Sequence, residues 1–169
     1  MQYLKRAVFL DRDGVINRSI VRNGKPYPPK NFLELEILPG VINSMKSLKE
    51  QGWLLIVITN QPDVARGTAD IADVEEINQH LLKHLPIDEF LTCYHDNNDG
   101  CNCRKPKPGA LYTAADNHGI NLSASFMVGD RWSDIEAGKN AGCKTIFLDY
   151  NYNERRPNNY DHKTCSLLS

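Results

Sequence analysis

What this chain lacks narrows its class first. Its longest unbroken apolar run, Trp53 to Ile58, is six residues, where a membrane-crossing helix needs ~20. An excess of one charge is missing too: 20 basic residues face 21 acidic ones, a formal net charge of -1. That balance excludes a strongly basic nucleic-acid protein and an acidic disordered tail. No apolar leader precedes the first strand-like run, because Met1-Gln2-Tyr3-Leu4-Lys5-Arg6 leads straight into Ala7. Internal repeats, low-complexity tracts and a second domain are absent. The expectation is a single domain over residues 1–169, cytoplasmic and monomeric, with neither membrane nor nucleic acid as a partner. Spread-out cysteines of the disulfide kind are also few. Of five, Cys93, Cys101 and Cys103 crowd into one loop, while Cys143 and Cys165 stand alone. In a reducing compartment such crowding points to metal.

What is present is an alternation of strands and helices. Ala7-Val8-Phe9-Leu10 is an apolar run ending in Asp11, and residues 54–58 form a second ending in Thr59-Asn60. Residues 89–94 form a weaker third, 126–128 a fourth ending in Gly129-Asp130, and 145–148 a fifth. Continuous apolar runs suit strands covered on both faces. Between them lie helical stripes. Val41, Ile42, Met45 and Leu48 are closed by Gly52; Val74, Ile77, Leu81, Leu82 and Leu85 follow Asp70 as cap. Residues 109–118 stop at Gly119, and a Ser133–Glu136 capping box opens a helix closed by Gly142. The order predicts an α/β fold with a parallel central sheet. Residues 14–38 and 93–109 break the rhythm, and connections that long are usually functional.

Open parallel sheets bind ligands at the carboxyl ends of their strands, and there the polar residues collect. Strand one ends in Asp11-Arg12-Asp13-Gly14, strand two in Thr59-Asn60-Gln61. Past strand three comes Arg104-Lys105-Pro106, and strand four ends in Gly129-Asp130, with Asp134 a helical turn on. Acids, a hydroxyl and cations at one sheet edge point to Mg²⁺-dependent phosphate chemistry. The loop between holds Cys93, His95, Cys101 and Cys103. Three thiols and an imidazole make a closed tetrahedral set, the form of a structural Zn²⁺ site. A free-cysteine loop and a zinc ribbon that binds nucleic acid are the alternatives; the ribbon is disfavoured because all four ligands sit in one short loop with few basic neighbours.

The four strand-end segments resemble, in order, the four motifs of the haloacid dehalogenase-like (HAD) phosphatases, from Ala7 to about Leu148. The resemblance implies a Rossmannoid three-layer fold. The connections after strands one and three are too short for a cap domain, so a minimal cap is expected. It also implies Asp11 as nucleophile and Asp13 as general acid and base. Asp11, the Asp13 carbonyl and Asp130 would hold Mg²⁺. Thr59 and Lys105 would stabilise the transferring phosphoryl oxygens. Asp134 stays open between orienting Lys105 or metal waters and favouring a helix N-terminus through the dipole.

With the zinc loop running into Arg104-Lys105-Pro106, the chain looks like the heptose-1,7-bisphosphate 7-phosphatases and the histidinol-phosphate phosphatases. The run Asp11 to Asn17 and Ala65-Arg66-Gly67 favour the heptose branch, and with it a place in carbohydrate metabolism and lipopolysaccharide heptose synthesis. The substrate is then a small phosphorylated sugar. By resemblance Arg104 would grip its remote phosphate, and Ser19, Ile20, Val21 and Arg22 with Asn60, Gln61 and Pro62 would line the sugar site. Arg12 and Arg131 count as further substrate contacts. Three departures stand out: Pro62-Asp63 replaces the usual Ser-Gly, Arg131 replaces a frequent Lys, and residues 150–169 add Tyr150, Tyr152, Arg155 and Arg156. That extension is expected to be solvated, with a substrate or partner contact as the alternative. A catalytically silent zinc-stabilised binding module is the reading from another class. Cys143 is expected to be a small buried hydrophobe, Cys165 a tail thiol, and His80, His84, His118 and His162 surface residues.

Overall fold

Alternate residues of the inner strands point to opposite faces, and both faces lead into apolar layers. Val8 and Leu10 of β1 (Ala7–Leu10) and Leu55 and Val57 of β4 (Leu54–Asn60) pack on one side with Val41, Met45, Ile77 and Leu81. Those partners come from α1 (Val41–Glu50) and α2 (Ile71–His84). Ala7, Phe9, Ile56 and Ile58 pack on the other with Leu111 and Ala114 of α3 (Gly109–His118) and Ala137 of α4 (Trp132–Asn140). This is why the strands read as unbroken apolar runs. Each fully buried Leu, Ile or Phe contributes roughly 1.5–3 kcal/mol. The computed structural model describes residues 4–167. Met1 to Tyr3, where the expected leaderless start lies, and the last two residues of the expected extension fall outside that range.

The sheet is parallel throughout and runs β5-β4-β1-β6-β7-β8, with β5 at Glu89–Cys93, β6 at Phe126–Gly129, β7 at Lys144–Leu148 and β8 at His162–Thr164. After β1 the chain builds outward through β4 and β5, then returns to β6 on the other flank of β1. That reversal opens a crevice at the carboxyl ends. The expected three-layer α/β fold is therefore found, with no helix among the described residues long and apolar enough to cross a membrane.

Two local expectations need correction, and one connection gains an element. The 14–38 connection holds a hairpin, β2 (Ile20–Arg22) and β3 (Lys25–Tyr27), turned by Asn23 and Gly24 at φ 53 and 74°. Two consecutive positive φ values suit an Asn-Gly turn. This hairpin is the small element that forms the minimal cap. The α4 cap is not the Ser133–Glu136 box: the helix starts at Trp132, and Asp134 Oδ2 accepts from the Arg131 N–H at 3.1 Å. Asp70 does cap α2, accepting from Ala72 N–H at 2.9 Å.

The extension is not a solvated tail either. Its β8 joins the sheet edge, and Asp149 at the end of β7 binds Lys163 at 2.8 Å, Arg156, and the Asn151 N–H at 2.9 Å. The hydrogen bond from Lys163 is the largest influence holding the Asp149 carboxyl down at about 2, from an ordinary 3.8. A depressed carboxyl adds stability that is present above the ordinary value and lost as pH falls toward the folded one. Acidification from pH 4 to 2 is therefore expected to release residues 149–164, and Asp149→Asn is expected to do so at pH 7. Amide hydrogen exchange across β8, compared with β1, is the measurement; equal protection of both strands in Asp149→Asn would contradict it.

Candidate active site

Four distant segments meet at the carboxyl end of β1. Asp11 leaves that strand with its N–H still bonded to Val128 O at 3.0 Å. Lys105 reaches it from the loop after β5: Nζ donates to Asp11 Oδ1 at 2.8 Å and to Ile58 O at 2.7 Å, and pairs with Asp134 Oδ1 at 2.7 Å. The Lys105 and Asp134 side chains are each 2% exposed, so this is a buried ion triad. Both open readings of Asp134 hold at once, since its other oxygen takes the Arg131 N–H at the α4 N-terminus.

Asp130 lies against the same triad. The nearest ligand oxygens of Asp11, Asp130 and Asp134 are within 4.8 Å of one another. One ammonium against three carboxylates leaves negative charge in excess. Burial first, then the Asp134 charge, raises the Asp11 carboxyl to about 6 despite Lys105. Burial and the charges of Asp11 and Asp134 push Asp130 far above the carboxylate range. Burial works against the Lys105 charge, but Asp11 and Asp134 outweigh it and hold the ammonium above the ordinary lysine range. Asp130 Oδ1 is buried with no hydrogen-bond partner. An orphaned carboxylate oxygen among hard oxygen donors in a net-negative pocket fits Mg²⁺. Gly14 makes room for the Asp130 carboxylate: at φ +89°, a Cβ there would lie 1.9 Å from its Oδ2.

Asp13 is gripped by three donors. Arg12 Nη2 and Asn17 Nδ2 each lie 3.0 Å from Oδ1, and Gln61 Nε2 lies 2.8 Å from Oδ2. Gln61 also donates to Thr59 Oγ1 at 3.0 Å. Arg12 is fully buried, with Nη1 on Asn78 Oδ1 at 2.8 Å, and Asn78 in turn donates to Thr92 Oγ1 at 3.1 Å. Arg12 is thus a brace for Asp13, and its expected role as a substrate contact is corrected: no face of it reaches solvent.

A cavity of about 200 Å³ opens above these groups. Of the expected substrate contacts, Ser19, Asn60, Pro62 and Arg131 line it, as do Asp11, Asp13, Lys105 and Asp130. Ile20, Val21, Arg22, Gln61 and Thr59 do not, and neither does Arg104. Val21 is 56% exposed on the outer side of the hairpin. Arg104 turns to the cysteine loop, with Nε 2.9 Å from Asn97 Oδ1. The sequence reading missed Lys25 and Tyr27 of the hairpin, and Asp63, Arg66 and Ser133. Arg66 carried a signal in Ala65-Arg66-Gly67; the hairpin residues required the fold.

Cys93, His95, Cys101 and Cys103 come together, with Sγ of Cys93 3.8 Å from that of Cys101 and His95 Nδ1 3.3 Å from Cys103 Sγ. All four ligand atoms lie within 4.8 Å of one another, and none of these thiols is in a disulfide. Burial pushes the Cys93 thiol up to about 12, so its thiolate needs a cation beside it. The spacing and soft donors fit a tetrahedral zinc ion. Arg66 ties this loop to the cavity through a two-bond pair with Asp96, at 2.8 and 2.7 Å. The extension reaches the site as well: Tyr152 Oη donates to Asp130 Oδ2 at 2.8 Å, and Glu154 pairs with Arg131 at 2.6 Å. Cys143 is buried and Cys165 exposed, as expected.

Comparison with known proteins agrees with this geometry. A HAD-hydrolase-like family model matches residues 102–163. A D-glycero-beta-D-manno-heptose-1,7-bisphosphate 7-phosphatase of Helicobacter pylori is 38% identical over 149 residues, 85% of this chain and 83% of that protein. The chain belongs to the HAD phosphatases. An Escherichia coli K12 protein of the same name is 36% identical over 83% of this chain and 78% of its own length. A D,D-heptose 1,7-bisphosphate phosphatase from B. bronchiseptica, crystallised with magnesium and phosphate, superposes with a TM-score of 0.73 at 31% identity, covering 84% of this chain and 79% of that one. HAD phosphatases are phosphoric monoester hydrolases that use Mg²⁺, and this chain is one of them.

In this HAD phosphatase, removing the shared ammonium should expose the charge imbalance directly. Lys105→Ala leaves buried carboxylates unpaired and is expected to cost about 3–5 kcal/mol. Adding Asp11→Asn should recover part of that loss, because the two residues are in contact. Urea unfolding without Mg²⁺ measures both, and strict additivity of the two changes would contradict the coupling.

Proposed function

We propose that this enzyme removes the 7-phosphate of D-glycero-D-manno-heptose 1,7-bisphosphate through a phosphoryl-Asp11 intermediate. The observation that carries the reading is the buried Asp11–Lys105–Asp134 triad beside an unpartnered Asp130 oxygen, in a chain whose relatives at 36 and 38% identity bear that activity as their name.

One Asp11 oxygen forms a bond to phosphorus while the bond from phosphorus to the sugar O7 breaks. Asp13 passes a proton to the departing sugar oxygen. It then takes a proton from water, whose oxygen displaces Asp11 and releases inorganic phosphate. Lys105 keeps Asp11 aligned and faces the charge that gathers on the phosphoryl oxygens. Asp11, the Asp13 carbonyl and Asp130 would hold Mg²⁺, which would supply the neutralisation that lets one anion approach another. Arg12, Asn17 and Gln61 hold Asp13 in place, and Thr59 acts through Gln61. Lys25, Arg66 and Arg131 on the cavity wall suit a second phosphate. Histidinol phosphate, with a single phosphate, would leave those cations unused.

Zinc in this reading is structural. Cys93, His95, Cys101 and Cys103 would fill all four positions of a tetrahedral ion and leave none open for catalysis. The loop is polar from Asp96 to Gly100, so its order depends on the metal. Through Asp96 it steadies Arg66, and through Cys103 it leads into Lys105.

Three experiments test the reading. Asp11→Asn should abolish turnover, and side-by-side kcat/KM values should favour heptose bisphosphate over histidinol phosphate; a tenfold preference for the latter would overturn the substrate. Cys101→Ser should lower the zinc content per chain, raise KM and lower kcat at saturating Mg²⁺. Lost zinc with unchanged kinetics would contradict the loop's role.

A further inference from the structure

The chain beyond β7 crosses the carboxyl edge of the sheet and is fastened to three segments around the site, at Gly14, at Gly24 and at Arg131-Trp132. Tyr150 Oη donates to Gly14 O at 2.8 Å, and the Asn153 N–H to Gly24 O at 2.7 Å. Glu154 holds Arg131, and the Arg155 guanidinium lies 4.2 Å over the Trp132 ring. Between these anchors Tyr152, half-buried beside the Tyr150 ring at 5.6 Å, donates its hydroxyl to Asp130 Oδ2 at 2.8 Å. The other oxygen, Oδ1, is buried and without a partner.

A carboxylate turns about its Cβ–Cγ bond, and either oxygen can face a cation. A fixed donor on one oxygen removes that freedom. Gly14 adds to this, since its missing Cβ leaves the space that Oδ2 fills. We propose that Tyr152 is a positioning residue for the metal carboxylate: its hydroxyl holds Asp130 by Oδ2 and so commits Oδ1 to the cation. The strap from Tyr150 to Arg155 is then a working part of the site, built to keep that hydroxyl where it is. This rests on Asp130 being a Mg²⁺ ligand, as proposed above.

Donors to metal ligands of this kind are worth about 10–100-fold in affinity or activity. Tyr152→Phe keeps the ring and removes the donor. Calorimetric titration of the full chain with Mg²⁺ alone, without substrate, is expected to show at least tenfold weaker binding in this variant. The Mg²⁺ concentration for half-maximal activity should rise equally, while kcat at saturating Mg²⁺ stays within a few-fold of wild type. Thermal melting verifies that the variant is folded. Tyr150→Phe is the comparison, because its hydroxyl meets a backbone carbonyl and not Asp130; with the other anchors kept, it should weaken Mg²⁺ binding by less than about threefold, well short of Tyr152→Phe. Equal weakening in both variants would mean that the strap matters only as a whole and would overturn the role of Tyr152. So would wild-type Mg²⁺ binding in Tyr152→Phe. Asp130→Asn separates the two levels: if it binds Mg²⁺ as tightly as wild type, the ligand assignment itself fails.

Discussion

One ammonium shared between two buried carboxylates is the interaction on which this molecule's chemistry depends. Taking ions out of water costs several kcal/mol each, and the loss is made good only when every partner is well placed. Lys105 meets that condition with Asp11, Asp134 and the Ile58 carbonyl, all within 2.8 Å. The parallel sheet makes the meeting possible, because β1, β4 and β6 all end at one edge. The triad still leaves Asp130 unbalanced. That surplus of negative charge is what a divalent cation would answer, so the fold's electrostatic debt and its catalytic need are the same feature.

Short segments do the work of shaping the cavity. The β2–β3 hairpin carries Lys25 and Tyr27 to its wall. The cysteine loop holds Arg66 through Asp96. The segment after β7 holds Asp130 and Arg131 through Tyr152 and Glu154. Each brace ends on a charged group that lines the cavity. The Pro62-Asp63 departure finds a partial account here, since Asp63 faces Arg66 at 3.4 Å and adds a second acid to its environment.

The sheet, its four helices and the acid-bearing strand ends were legible because each rests on a local pattern: unbroken apolar runs, stripes of helical spacing, and Asp or Thr just past a strand. The four-residue cysteine and histidine set was legible for the same reason. Arg12 reads as a ligand from sequence because it is a charged residue between two strand-end acids. Its burial depends on Asn78 of α2 and Thr92 of β5, which only packing brings there. Arg104 is held by Asn97 from within the same loop and stays off the cavity wall, a placement its position next to Lys105 does not announce. The hairpin had its signal in Asn23-Gly24 flanked by Ile20 and Tyr27, but three-residue strands leave too little alternation to stand out. The extension reads as solvated chain because it is polar; its order comes from side chains that pair with charges fixed elsewhere, such as Glu154 with Arg131 and Lys163 with Asp149, and no periodicity records that.

The central claim is that Asp11 carries the phosphoryl group. Acid quenching of the enzyme during turnover of heptose 1,7-bisphosphate with Mg²⁺, followed by peptide mass spectrometry, tests it most directly. The expected result is a phosphoryl mass on the peptide that spans Asp11, absent without Mg²⁺ and absent in Asp11→Asn. Phosphate release with no phosphoryl group on that peptide, or with one on another residue, would contradict the account.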